Sequence, residues 1–325
     1  MRRTGIAAWL LGGMISLGAG QSAEACAFHG YVPDPTLVDI LLATEHIVVA
    51  RPDPADPTRY KPIKALLGPD TASVPVGVSP ATRARLSEQT TQTVLLARDG
   101  AYGSWLELAV LDDRFRGVID HVVEHQIEWS FGADAERLSM FSSYLNDPNP
   151  DLRRLALQEL DRAPYGALRA ARLPQIPTLK QDLNSGDSDL LPIRILLAGL
   201  SQDPGFGPYL SQELDAAIAR DLPYLGAYAT AWIELEGKTA AQSILDRMTE
   251  DEALTLDTRI RLLEALALQH THAPASTRRV IARGVAELLR STPDLREAAT
   301  TQFGFGGGWA SSDREPTKNT REIDR

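Results

Sequence analysis

The chain reads as an α+β protein, mostly α: a small antiparallel β-barrel or sandwich followed by an α-solenoid. Three observations predict this. Residues 46–112 hold five short strand-like runs, split by turn clusters such as Asp53-Pro-Ala-Asp-Pro57 and Gly68-Pro-Asp70. From about Tyr144 to Thr300, amphipathic helical segments recur, broken every fifteen to twenty residues by Pro, Gly, Asp or Asn. These segments also share a spacing. Arg154 and Arg194 lie 40 residues apart, a helix over 227–235 starts about 34 residues later, and Arg261 follows about 33 after that. A period in the thirties to forties built from helix pairs marks a solenoid.

At 325 residues the chain has room for one large or two medium domains. The net charge of −10 disfavours binding to a nucleic-acid backbone, which needs concentrated positive charge. Residues 1–25 read as an export signal. Arg2-Arg3 form a positive n-region, Gly5 to Gly20 an uncharged apolar h-region, and Ala23-Glu-Ala25 a small-x-small cleavage site. The h-region falls short of the roughly 20 residues of a membrane span, so stable insertion is not expected. The expected address is the periplasm, or secretion.

Cleavage after Ala25 would leave Cys26-Ala-Phe-His-Gly-Tyr31 as the mature start, with Cys26 the sole cysteine. A lone thiol in an oxidising compartment needs a reason. One reading is a zinc or copper ligand together with the terminal amine and His29. The others are a buried thiol, an intermolecular disulfide and a lipid anchor.

The β-rich domain is expected over 26–112. After an amphipathic helix, Pro35 to Thr44, come strands His46–Arg51, Tyr60–Leu67, Ala72–Val78, Gln92–Arg98 and Ser104–Val110. Pro62 restricts the second strand to an edge or a bulge. Asp99-Gly100 signals a hairpin between the last two. An exported domain starting at Cys26, with Ile-Val-Val-Ala-Arg51 and a Tyr-led strand ending Leu-Leu-Gly-Pro69, resembles the netrin-like module of the tissue inhibitors of metalloproteinases. The resemblance implies an OB-type barrel. Those modules carry several disulfides, so only the barrel is carried over, and no activity.

A connecting helix is expected over 113–132. Its run Asp120-His-Val-Val-Glu-His-Gln-Ile-Glu-Trp129 places Val118, Ile119, Val122, Val123 and Ile127 on one face. His121, His125, Glu124 and Glu128 gather on the other. His121 and His125 are one turn apart, so both imidazoles can reach one ion, with Glu128 a turn further on. The bland alternative is a solvated face of His–Glu neighbours. His-x-x-Glu-His also resembles the inverzincin peptidase motif, in which Glu124 would be the general base.

Helical repeats are expected over 133–302, opening with a capped start at Asp134. The segment Tyr144-Leu-Asn-Asp-Pro-Asn-Pro-Asp-Leu-Arg-Arg-Leu-Ala-Leu-Gln-Glu-Leu160 resembles a HEAT repeat: a turn-forming Asp-Pro, an Asp before Arg, then the apolar positions of an inner helix. The resemblance covers about 144–300 and implies a scaffold for partner proteins. It assigns Asp151, Arg154 and Arg194 structural roles. Tyr224, Tyr228 and Trp232 are expected in the core, and His270-Thr-His272 in a loop. The tail, 303–325, is expected to be Gly-rich, charged and disordered.

No nucleophile elbow, P-loop, dinucleotide fingerprint or cysteine pair occurs. The leading reading is therefore an exported, non-enzymatic binding or scaffold protein that docks a protein partner through its helical repeats. The alternative is a metal-handling protein using Cys26 and His29, or His121, His125 and Glu128, with zinc or copper as the ion. A metal-dependent hydrolase built on Glu124 stands behind both.

Overall fold

The computed structural model describes residues 32–100, 103–132, 134–185 and 190–304. Among these residues the chain is mostly helical, with one five-stranded antiparallel sheet curled into a half-barrel. The expected signal, Cys26 with His29, and the tail beyond Gly304 lie outside the described residues.

Helix α1 (Leu37–Ala43) starts at Thr36, whose hydroxyl accepts from the Asp39 N–H while Asp39 accepts from the Thr36 N–H. This reciprocal pair satisfies two donors that a helix start leaves open. The strands are β1 (His46–Pro52), β2 (Arg59–Leu67), β3 (Val74–Gly77), β4 (Thr93–Arg98) and β5 (Leu106–Leu111), in the spatial order β3-β2-β1-β4-β5. The β-branched run Ile47-Val-Val49 takes the central position, buried on both faces. Pro62 sits inside the sheet, at a bulge. The β1–β2 register steps from Val49↔Lys64 to Ala50↔Pro62, skipping Ile63.

Alternation along the strands divides the core. Ile47, Val49, Leu95 and Ala97 face α1 and α3 (Asp113–Glu124), meeting Val38, Leu41, Phe115, Val118, Ile119 and Val122. Val48, Ala50, Val94 and Leu96 face the inside of the curl, meeting Tyr60, Val74, Val78, Leu86 and Trp105. The first cluster continues without a break into the helical half, as far as Ala299. The expected connecting helix is thus the cover of the sheet, and one core crosses residue 112.

A short helix over residues 80–88, here α2 (Pro80–Glu88), was not expected. Ser79 caps it by accepting from the Thr82 N–H, and Pro80 occupies its first turn. Only Thr82 and Leu86 are buried, so the segment has no apolar stripe to read. It is held by Glu107 of β5, whose carboxylate accepts from the hydroxyls of Ser79, Thr82 and Tyr60.

The single connecting helix expected over 113–132 is two. After α3, the backbone at His125 leaves helical geometry at φ −99° and ψ 13°, and α4 (Gln126–Ser130) follows on a new axis. The Gln126 amide donates to the carbonyls of Leu41 and Thr44, both at 2.9 Å, which closes the end of α1. The change of phase moves Ile127, expected on the apolar face, out to 74% exposure, and Trp129 takes the buried place at 4%.

The helical half comprises α5 (Asp134–Ser142), α6 (Pro150–Asp161), α7 (Tyr165–Ala170), α8 (Leu179–Leu183), α9 (Leu191–Leu200), α10 (Gly207–Arg220), α11 (Leu225–Glu236), α12 (Lys238–Glu250), α13 (Leu256–His272), α14 (Ala275–Ser291) and α15 (Arg296–Phe303). From α9 on, several helices two apart in the chain touch. α6, α9, α11, α13 and α15 form one chain of contacts, and α12 packs on α14 beside it. Tyr228 and Trp232 are buried as expected, while Tyr224 is only partly so. Asp151 is structural in an unforeseen way: it pairs at 2.6 Å with Arg85 of α2, across to the sheet. His270 and His272 are not in a loop. They occupy the last turn of α13, which runs three residues past Gln269. Ala273, with ψ 163°, ends it.

A partly buried charge cluster joins the two halves. Arg137 of α5 donates to Asp39 at 2.8 Å and Glu159 at 2.5 Å, and Arg162 reaches Asp39 at 2.7 Å. Burial pushes the Asp39 carboxyl up. The Thr36 N–H, Arg137 and Arg162 more than offset this and hold it below the usual range. A lowered folded value contributes stability in full above the unfolded value of about 3.9, and loses it as pH falls through the folded value. The urea midpoint of the unchanged chain should therefore exceed that of Asp39→Asn near neutrality. The two should converge as pH drops below about 4.

Candidate metal centre

The site is built on the end of α3. His121 lies in its last turn, and His125 is both the cap of α3 and the first residue of the bend into α4. The His125 Nδ1–H donates to the His121 carbonyl at 3.0 Å, which fixes that ring and leaves Nε2 free. This bond also raises the His125 pKa. Burial works against the shift, and Glu128, Glu136 and Glu124 add to it. The two imidazole centroids are 4.0 Å apart. The indole of Trp129 packs beneath both, at 5.7 and 6.0 Å, and meets Phe141 of α5 at 6.3 Å. A buried aromatic base thus holds α3, α4 and α5 together under the two histidines.

The chain then turns through Gly132, whose φ of +105° suits glycine, and α5 begins. Its first turn brings Glu136 to the histidines. One ligand atom each from His121, His125 and Glu136 lie within 4.8 Å of one another. The carboxylate in this group is Glu136 and not the expected Glu128. Glu128 is exposed on α4, past the break at His125, so the one-turn spacing that pointed to it no longer holds. Glu124 is exposed at the last position of α3 and is likewise outside the group. Glu136 carried no signal in the sequence beyond its place in an acidic first turn, because its link to the histidines depends on the turn at Gly132.

Two further features lie in the helical half. Glu234 of α11, its side chain 5% exposed, accepts from Arg169 Nε at 2.8 and 2.9 Å and from the Tyr165 hydroxyl. Gln269, fully buried on α13, donates to the Tyr165 oxygen and to the Thr230 carbonyl at 3.0 Å. Burial, then the Glu234 charge, pushes the Tyr165 phenol far above its ordinary range. The second feature is a groove of about 920 Å³ between the α7–α8 connection and the end of α9. Leu173, Ile176, Leu200 and Phe206 line it, together with the polar Gln202 and Asp203 and the exposed cations Arg172 and Lys180.

Comparison with family models, with curated proteins and with solved structures finds no match to this chain. The class of protein therefore rests on the fold alone: α+β, mostly α, with a half-barrel sheet sharing its core with a helical half. No helix among the described residues is long and apolar enough to cross a membrane.

Proposed function

We propose that the chain is an exported, non-enzymatic binding or scaffold protein that docks a protein partner through its helical half. The observation that carries this reading is the 920 Å³ groove in the helical half, whose mixed apolar and polar lining includes the cations Arg172 and Lys180. Contacts between helices two apart, α9 on α11, α11 on α13 and α12 on α14, are compatible with a repeat array. The groove is large enough for several side chains of an extended segment. Arg172 and Lys180 favour one that carries acidic residues among apolar ones. Export is supported by the small-x-small site at Ala23-Glu-Ala25.

The test is affinity capture from periplasmic extract, comparing the unchanged chain with Arg172→Glu/Lys180→Glu. A stoichiometric partner that weakens on the order of tenfold with charge reversal is expected, and more strongly at low salt. Capture indifferent to both substitutions, or no partner at all, overturns the reading. In the same preparation, a mature mass beginning at Cys26 supports export, and a full-length mass in the cytoplasm removes it. A metal-handling reading is favoured by one observation, the meeting of His121, His125 and Glu136.

A further inference from the structure

We infer that His121, His125 and Glu136 form a binding site for a divalent transition-metal ion of the zinc type. The inference is independent of the docking role proposed above, since none of these residues lines the groove.

The donor set comes first. Two imidazoles and a carboxylate, with no thiolate, suit zinc and its neighbours; calcium and magnesium prefer all-oxygen sites. Three protein ligands leave a fourth tetrahedral position for water. The orientation of His125 comes second. A metal-bound histidine commonly donates its other ring N–H to a backbone carbonyl, which fixes the tautomer and turns the remaining nitrogen outward. The bond from His125 Nδ1 to the His121 carbonyl already does this, at 3.0 Å.

Charge is the third argument. The two imidazole centroids lie 4.0 Å apart, with exposed carboxylates around them. Glu136, with Glu124 and Glu128 nearby, offsets the charge of a dication held between the rings. Geometry is the fourth. Zinc bonds of about 2.0–2.1 Å place tetrahedral ligand atoms about 3.3 Å apart. The present limit of 4.8 Å asks for a closure of at most about 1.5 Å. Glu136 can close on the histidines by rotation, because its side chain is exposed and starts in the first turn of α5. Trp129 packs against both histidine rings, at 5.7 and 6.0 Å.

Such an ion would clip α5 to the α3–α4 bend across the turn at Gly132, at the point where the sheet cover passes into the helical half. Its effect would be read as stabilisation by mass action.

The experiment is zinc titration by calorimetry into the chelator-stripped full mature chain, followed by thermal unfolding with and without zinc. One equivalent is expected, with a zinc-dependent rise in Tm. Glu136→Ala, exposed and free of core contacts, should weaken binding on the order of tenfold, and His121→Ala on the order of 100-fold. Glu128→Ala and Cys26→Ser should leave it within a factor of about three. Cobalt is a second probe: its spectrum should show few-coordinate nitrogen and oxygen ligation and no thiolate charge-transfer band. Absence of stoichiometric zinc overturns the site. So does binding that Glu136→Ala leaves unweakened, or that is lost with Glu128→Ala or Cys26→Ser.

Discussion

Arg169→Ala is expected to lower the unfolding free energy by about 3–5 kcal/mol, the largest loss of any single substitution considered for this chain. The Glu234 side chain is 5% exposed, and Arg169 supplies its only cationic partner among the described residues. Without that guanidinium, the carboxylate stays buried facing the neutral Tyr165 hydroxyl and Gln269 amide. An unpaired charge in that position costs far more than the pair contributes, because both ions lost hydration when the helices closed. Arg169 also donates to the His272 carbonyl, so its removal leaves the end of α13 without that donor. Urea denaturation should show a lower midpoint with an unchanged slope. Replacing both partners, as Arg169→Met with Glu234→Leu, should recover much of the loss, since no charge is then stranded. Tyr165→Phe should cost less, about 1–3 kcal/mol, because it removes one donor and leaves the ion pair in place. A double replacement as damaging as Arg169→Ala alone would mean that the residues act through packing and not through charge.

This network was invisible in the sequence, and the reason is distance along the chain. Arg169 and Glu234 are 65 residues apart, and Gln269 lies 104 from Tyr165. Nothing in a local pattern couples them. The strands were readable because β-branched residues such as Ile47-Val-Val49 prefer a pleated surface, and because Asp99-Gly100 is a local hairpin signal. The helices were readable from their apolar stripes: α9 runs over Leu191–Leu200 as the sequence suggests. α2 escaped because it buries only two residues. The histidine site was half legible. A one-turn spacing placed His121 and His125 together, and the structure keeps them so. The same spacing, carried one turn further, pointed to Glu128. It failed because Gln126 is drawn to the carbonyls of Leu41 and Thr44, a contact more than 80 residues distant in sequence. Local periodicity describes a helix only as long as no tertiary hydrogen bond bends it. In this chain such a bond selects which carboxylate meets the histidines.

Gly199→Ala is expected to destabilise the chain by about 2–3 kcal/mol, although alanine is the better helix former by roughly 1 kcal/mol. Gly199 lies near the end of α9, fully buried, where α9 crosses α11. A Cβ at this position would fall 2.7 Å from the Ala231 Cα and closer still to the Ala231 carbonyl oxygen. Both obstacles are backbone, so no side chain can swing away, and the two helices must separate. Separation would also thin the contacts of Leu196 and Leu197, which are buried in the same core. The effect should travel, because α11 packs next on α13, and Gln269 of α13 reaches back to the Thr230 carbonyl. Gly117→Ala is the matched control. It too is a helical glycine, in α3, but a Cβ there meets nothing within 4 Å. That substitution should raise stability by a few tenths to about 1 kcal/mol, chiefly by restricting the unfolded chain. Thermal unfolding of the two variants side by side separates propensity from packing. A Gly199→Ala chain as stable as Gly117→Ala would show that α9 and α11 do not approach as closely as their backbones imply.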